Sequence, residues 1–211
     1  MTAHWRSIPM PPNVARLPRN TAGRPVPINT PWYETADDGG QMAIRSSADL
    51  GEHVVCPCEP GRGTAAFGDQ CPPRQRKLME QRLCGICGRA IKKTSSLVFI
   101  GAPNAGFYIE PPVHPRCAAY ALLVCPTLSA ADDVELTIAR SYVLRERRMN
   151  GVSFDLKIIY DLFPHRDPNA RRRGPLDFYL AFPENAHRMA AKDWLTSHAP
   201  PAVARRRRES P

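Results

Sequence analysis

The stretches Cys84-Gly85-Ile86-Cys87 and His114-Pro115-Arg116-Cys117 decide how this 211-residue sequence folds. A Cys-x-x-Cys turn points both sulfurs to one side, and the glycines at 85 and 88 let the backbone turn sharply and direct N–H groups at the sulfurs. In the second stretch, the histidine and the cysteine are three residues apart, so they share one face at the start of a helix. Zinc prefers four such donors in a tetrahedral set. The sequence predicts one structural zinc ion with the ligands Cys84, Cys87, His114 and Cys117.

A β-hairpin is predicted between the two pairs of ligands. Residues 96–101 (SLVFIG) and 106–110 (GFYIE) are rich in β-branched and aromatic side chains, and a four-residue loop (APNA) separates them. A helix over residues 114–125 follows, with a proline in its first turn. The positive N-terminal end of that helix favours the negative thiolates beside it. The predicted order is knuckle, hairpin and helix.

This order resembles the treble-clef class of zinc fingers. Several motifs scattered over residues 9–150 also look like a family of uncharacterised small proteins from bacterial and phage genomes. They are Met10-Pro11-Pro12, Leu17-Pro18, Gly23-Arg24-Pro25-Val26-Pro27, Leu83-Cys84-Gly85-Ile86-Cys87-Gly88, Glu110-Pro111-Pro112-Val113-His114-Pro115-Arg116-Cys117-Ala118 and Cys125-Pro126. The resemblance implies a zinc site and implies no activity, so the function has to be argued from the residues.

The rest of the chain divides by composition into four parts. We expect a proline-rich extended arm over 1–50, a zinc-binding α+β core over 51–163, a basic loop, strand and helix packed on that core over 164–199, and a disordered arginine-rich tail over 200–211. Asn150-Gly151 is the expected turn of a second strand pair, although residues 134–148 also fit a helix. The predicted strands are 134–144, 152–163 and 176–182, and the remaining predicted helices are 72–83 and 184–198. The fold class is α+β, with a treble-clef-like core, an additional small sheet and a C-terminal helix.

The cysteine content indicates metal binding in a reducing compartment. We find no secretory signal, and the longest apolar run, residues 117–125, is too short to span a bilayer. A cytoplasmic protein without a membrane contact is therefore expected. Thiols stay reduced there, so seven cysteines, an odd number, are better explained by metal ligation than by disulfides.

A second zinc site is a further hypothesis. His53, Cys56, Cys58 and Cys71 supply four donors around a glycine-rich segment that has few apolar side chains to hold its shape. The alternative is a mobile loop with free thiols. Cys125 lies on the same predicted helix as Cys117 but about 12 Å further along its axis, so it is expected to be a core residue.

The net charge of +9 is concentrated in the cysteine-rich segment and the C-terminal quarter. Basic clusters attract polyanions, and they contact nucleic-acid phosphates without reading the sequence. The alternative is that these charges form ordinary solvated surface. The candidate nucleic-acid contacts are Arg74, Arg76, Lys77, Arg82, Arg89, Lys92, Lys93, Arg171, Arg172 and Arg173.

These features favour a non-catalytic binding module over an enzyme. Four protein donors close a zinc ion to substrate, and neither a phosphate-binding glycine loop nor the signature of a nucleophilic cysteine is present. No small-molecule substrate is predicted. DNA or RNA is the expected partner, and a protein that docks on the proline-rich arm is the alternative. A treble-clef nuclease of the His-Asn-His type is disfavoured because residues 96–110 contain no histidine.

Overall fold

The protein is a mixed α+β structure, as expected, in a computed structural model that describes residues 5–34, 42–101 and 106–199. Short 3-10 helices lie at Trp5–Ser7 and Ala170–Arg172. The α-helices of this part of the chain are α1 Pro12–Ala15, α2 Pro72–Glu80, α3 Pro115–Val124, α4 Pro126–Ala130 and α5 Ala191–His198. The strands are β1 Trp32–Tyr33, β2 Ala43–Ser47, β3 Gly51–Val55, β4 Thr64–Ala65, β5 Leu97–Ile100, β6 Glu135–Ala139, β7 Ser141–Val152, β8 Ile158–Pro164, β9 Leu176–Glu184 and β10 His187–Ala190.

The described strands form three sheets, with the orders β2-β3-β9-β7-β8, β10-β6-β5 and β1-β4. Strand β9 lies at the centre of the largest sheet, parallel to β3 and antiparallel to β7. Its side chains at Leu176, Leu180 and Ala181 are fully buried, because both faces of the sheet are covered at this point. The strand predicted over 176–182 is confirmed, and residues from the C-terminal quarter complete the main sheet.

Polar side chains attach α2 to β9. The amide of Gln75 is fully buried, donates to the carbonyl oxygens of Ile109 and Tyr179 at 2.7 Å each, and accepts from the N–H of Tyr179 at 3.1 Å. The Arg76 guanidinium donates to the carbonyl oxygens of Asp177 at 2.6 Å and Val54 at 2.8 Å. The helix thus supplies partners for backbone groups that would otherwise be buried without hydrogen bonds.

Strand β7 contains a buried ion pair, and its arginine also bonds to the turn between β2 and β3. The Arg148 side chain is 1% exposed and donates to Oε2 of Glu146 at 2.6 and 2.8 Å. The same guanidinium donates to the carbonyl oxygen of Leu50 at 2.9 Å. A buried charge needs such a full set of partners, because leaving it unpaired costs several kcal/mol.

The two helices that flank the zinc-ligand stretches form close to their predicted bounds. Helix α2 begins with two prolines, as expected, but ends at Glu80 rather than at 83. Arg82 has a φ of 52°, and the Leu83 N–H bonds to the carbonyl oxygen of Leu78 at 2.8 Å, so the chain reverses before the knuckle. Helix α3 follows the predicted position closely and begins at Pro115.

The predicted hairpin of residues 96–101 and 106–110 is wrong. Strand β5 pairs with β6, while Tyr108 makes an isolated bridge to Ala181 and Val113 makes one to Val98. The Tyr108 ring stacks on Phe99 at 4.7 Å, and its hydroxyl lies 2.6 Å from the Thr137 hydroxyl. Tyr108 therefore packs across β5 and β6 instead of extending the sheet beside them. The loop predicted at 102–105 lies outside the described residues.

The second strand pair forms with different bounds. Strands β7 and β8 pair, but the turn covers residues 153–157, whereas Asn150-Gly151 lies inside β7 at a bulge. The stretch 134–144 is divided between β6 and β7, which belong to different sheets, and the helix alternative for 134–148 is wrong. The helix predicted over 184–198 forms only at its C-terminal half, because His187–Ala190 pairs with β6 as β10.

The proline-rich segment is packed against the core over residues 5–34. Ile8, Val14 and Val26 are buried, and the Ile28 N–H donates to the carbonyl oxygen of Ile86 in the knuckle at 2.9 Å. The arm predicted over 1–50 is therefore packed on the core over residues 5–34, a point that the sequence left open. The expected boundaries at 50/51 and 163/164 cut the β2–β3 hairpin and strand β8. The tail expected over 200–211 lies outside the described residues.

We predict that Gln75→Ala lowers the free energy of unfolding by about 3 kcal/mol, because three backbone partners lose their hydrogen bonds in a buried position. The matched control is Lys77→Ala, on the exposed side of the same helix, with an expected change within about 0.5 kcal/mol. Urea unfolding followed by circular dichroism measures both. Equal effects of the two substitutions would contradict this role for Gln75.

Candidate metal centres

The knuckle and the start of α3 bring four soft donors together. The ligand atoms of Cys84, Cys87, His114 and Cys117 all lie within 4.8 Å of one another. Nδ1 of His114 is 3.4 Å from Sγ of Cys87 and 3.9 Å from Sγ of Cys117. A tetrahedral ion with bonds of about 2.3 Å separates its sulfurs by about 3.8 Å, so the cluster has the dimensions of a four-coordinate site. We call these four residues the first cluster.

The backbone around the knuckle explains why both sulfurs point inward. The Gly88 N–H donates to the carbonyl oxygen of Cys84 at 2.8 Å, and the φ of 69° at Gly88 is one that favours glycine. A side chain at position 85 would place its Cβ 3.0 Å from the carbonyl oxygen of Pro111. Gly85 is therefore required by the close approach of the knuckle to the segment that precedes α3, and Gly88 by its positive φ.

The His114 ring is oriented for metal binding through Nδ1. Its Nε2 lies 3.1 Å from the carbonyl oxygen of Ala90, which fixes Nε2 as the protonated nitrogen and leaves the lone pair of Nδ1 facing the cluster. The backbone N–H of His114 also donates to Sγ of Cys84 at 3.4 Å. Such N–H···S bonds stabilise thiolates, so the second layer of contacts supports the ligand set.

Hydrogen bonds between protonated donors shift the pKa values of three of the four groups when no ion is bound. Hydrogen bonds with Cys84 and Cys87 raise the pKa of His114 to about 10. Hydrogen bonds from Cys117 and Cys84 lower the pKa of Cys87, while those with Cys84 and Cys87 raise the pKa of Cys117. A metal ion replaces these protons, since its ligands are thiolates and neutral imidazole.

A second cluster contains three cysteines and lacks the expected histidine. The sulfurs of Cys56, Cys58 and Cys71 lie within 4.8 Å of one another. His53 does not join them, because it lies in β3 and its Nδ1 is 2.9 Å from the carbonyl oxygen of Gly51. Three residues of extended chain cover about 10 Å, too far for His53 and Cys56 to share an ion through local spacing. His53 as a metal ligand is therefore a wrong prediction.

Arg74 belongs to this second cluster and is not a free surface cation. Its guanidinium donates to Sγ of Cys58 at 3.1 Å and to the carbonyl oxygen of Thr30 at 2.9 Å. Cys71 is the residue immediately before α2, where the helix dipole favours a negative sulfur. The cluster thus connects the proline-rich segment, the chain after β3 and the start of α2.

The thiol pKa values in the second cluster differ. Burial raises the pKa of Cys71 to about 12 and also raises that of Cys56. Burial opposes ionisation of Cys58 as well, but hydrogen bonds from Cys56 and from the Trp32 N–H, together with the charge of Arg74, lower its pKa. Cys58 is therefore the most acidic thiol of this group. Cys125 belongs to neither cluster and is half-buried at the end of α3.

The ten candidate nucleic-acid contacts include both exposed side chains and side chains that bond to backbone carbonyl oxygens inside the protein. Arg76 is 5% exposed, and its guanidinium bonds to carbonyl oxygens. The predictions that Arg76 and Arg74 contact nucleic acid are therefore wrong. Arg82 donates to the carbonyl oxygens of Ser95 at 3.3 Å and Arg140 at 3.1 Å. The candidates that remain exposed are Lys77, Arg89, Lys92, Lys93, Arg171, Arg172 and Arg173.

Arg140 adds a cation that the sequence did not suggest. Its guanidinium donates to the carbonyl oxygen of Thr94 at 3.5 Å, which places it beside the loop that follows the knuckle. The pairing of β5 with β6 brings Arg140 to this loop. Arg140 and Thr94 are 46 positions apart, so local sequence patterns do not predict their contact. We call the exposed set Arg89, Lys92, Lys93 and Arg140 the knuckle-loop cations.

Comparisons with known proteins add no assignment: no protein-family model, curated protein or solved structure matches this chain. Over the described ranges, none of the helices combines the length and the apolar character needed to cross a membrane. The site geometry therefore carries the functional argument.

We predict that Cys87→Ser and His114→Ala each lose one equivalent of bound divalent metal and lower the melting temperature, because the first cluster then lacks a ligand within the core. Cys125→Ser is the matched control, since it removes a sulfur from the end of α3 without touching either cluster. Elemental analysis of protein purified without an affinity metal provides the measurement. Unchanged metal content in both cluster variants would contradict the assignment.

Proposed function

We propose that the protein is a non-catalytic nucleic-acid-binding module, held by one structural zinc ion in the first cluster, that contacts phosphates through the knuckle-loop cations. The observation that carries the proposal is the unneutralised charge beside the cluster. Residues 82–95 contain four basic and no acidic residues. Among residues 5–34, 42–101 and 106–199, the acidic side chains that form ion pairs do so elsewhere, and none pairs with a knuckle-loop cation.

Zinc is the ion that suits the first cluster best. Three thiolates and one imidazole are a frequent structural zinc set, whereas calcium and magnesium require oxygen ligands. Cys84 and Cys117 are almost fully buried, so water has little access to a bound ion. A closed and buried set supports a structural role and disfavours hydrolysis at the metal.

Metal binding would hold the basic loop in shape. The carbonyl oxygen of Ala90 bonds to the ring of His114, and the N–H of Ile91 donates to the carbonyl oxygen of Arg82 at 3.0 Å. Lys92 and Lys93 follow directly and are exposed. Preordered cations lose less conformational entropy when they contact a polyanion, which favours binding.

The alternative functions receive less support. A protein partner docking on an extended proline-rich arm requires free apolar side chains, but Val14 and Val26 are each 1% exposed within this chain. A His-Asn-His nuclease requires a histidine general base, and the imidazole nitrogens of His114 face the first cluster and Ala90. Binding without catalysis is therefore the function that we propose.

The double variant Lys92→Gln/Lys93→Gln is expected to weaken binding to a short DNA or RNA duplex. It should also reduce the slope of log K against log salt by about 2, because each phosphate contact releases about one counterion. The control Lys157→Gln/Lys192→Gln removes the same charge from exposed positions elsewhere. Fluorescence anisotropy over a salt series measures both variants.

Equal loss of affinity in the two double variants would indicate nonspecific attraction by net charge and would contradict a knuckle-loop interface. Absence of binding at low salt would contradict the nucleic-acid proposal as a whole. Zinc content is measured on the same samples, so that failure of the zinc assignment is separated from failure of the binding assignment.

A further inference from the structure

The second cluster differs from the first in the number of its ligands. Cys56, Cys58 and Cys71 place three sulfurs within 4.8 Å of one another, and no histidine, cysteine, aspartate or glutamate of the described ranges completes the group. A cavity of about 260 Å³ opens beside Cys58. It is lined by Trp32, Tyr33, Glu34, Pro57, Cys58, Glu59 and Arg62.

Backbone donors surround the three sulfurs. The N–H groups of Cys58, Trp32 and Arg74 bond to the sulfurs of Cys56, Cys58 and Cys71, respectively. N–H···S bonds of this kind are the usual second layer of a thiolate–metal site. The Trp32 N–H comes from a separate segment, whereas the donors to Cys56 and Cys71 are close neighbours in the chain of the sulfurs they bond.

The charge of the second cluster fits a divalent ion. Three thiolates carry three negative charges, a divalent ion cancels two of them, and the Arg74 guanidinium, 3.1 Å from the Cys58 sulfur, balances the third. A monovalent ion would leave one negative charge uncompensated in a partly buried position. Thiolate donors exclude calcium and magnesium, and zinc is the abundant divalent ion that they select.

We propose that Cys56, Cys58 and Cys71 bind a second zinc ion whose fourth position is open to an exchangeable external ligand through the cavity beside Cys58. Water occupies this position when no other donor is present, and a small thiol or imidazole replaces it. Three protein ligands and one exchangeable ligand are the arrangement of reactive zinc sites, in contrast to the closed first cluster. The two sites therefore serve different purposes, and this site does not depend on nucleic-acid binding.

The proposal is tested first by metal content. Wild-type protein purified without an affinity metal should contain two zinc ions per chain, Cys71→Ser should contain one, and His53→Ala should retain two. Circular dichroism and the zinc of the first cluster show whether Cys71→Ser is folded. One zinc ion in the wild-type protein, or a second equivalent of another metal, overturns the proposal, as does loss of one zinc ion in His53→Ala.

The open position is tested with cobalt. Co²⁺ replaces zinc in thiolate sites and reports its ligands through visible absorption bands. Titration of the Co²⁺ protein with imidazole and, separately, with 2-mercaptoethanol should shift part of the spectrum in a saturable way, and the shift should be absent in Cys71→Ser. Wild-type bands that neither probe alters at millimolar concentration overturn the open coordination position. The titration of the wild-type protein alone still tests the open coordination position if Cys71→Ser does not fold.

Discussion

The attachment of the knuckle to the first turn of α3 by four soft donors is the constraint on which the rest of the structure depends. The knuckle also accepts a hydrogen bond from the N-terminal segment through Ile86 and donates one to Pro112 through Gly85. The basic loop contacts His114 through Ala90. These three neighbours have little regular secondary structure of their own, so contacts with the knuckle and with His114 help to position them. A metal ion at this point would fix a region that is much larger than its four ligands.

In the main sheet, polar side chains form hydrogen bonds with buried backbone groups. Gln75 and Arg76 of α2 reach carbonyl oxygens of β9 and β3, and Arg148 reaches the turn before β3. Interior polar groups of this kind specify one arrangement, because each alternative packing leaves some of them unpaired. The apolar side chains of β9 stabilise the sheet because they are buried. The polar contacts determine where α2 lies on the sheet. Basic residues that the sequence presents as surface charge are used inside the protein for this purpose.

The sequence predicted the features that depend on local spacing. The first cluster follows from two pairs of donors at i, i+3, and α3 follows from a proline before an apolar run. The errors concern residues whose role depends on distant partners. Residues 106–110 have the composition of a strand, yet β5 pairs with β6; His53 has a donor atom, yet an extended strand carries it away from Cys56. Arg76 shows no sequence difference from an exposed helical arginine, because the carbonyl oxygens that it bonds lie 22 residues before it, at Val54, and 101 residues after it, at Asp177.

The parallel contact of β3 with β9 gives the chain a definite order of assembly during synthesis. His53 of β3 pairs with Leu176 of β9, so the centre of the main sheet cannot form until almost the whole described chain has left the ribosome. The first cluster spans much less sequence, with Cys87 and His114 separated by 27 residues. Metal binding to the first cluster would therefore precede sheet formation, and it would protect the knuckle and α3 before β3 pairs with β9. In a cell short of the ion, newly made chains would lack this early protection. They would aggregate before any contact of the folded protein was affected.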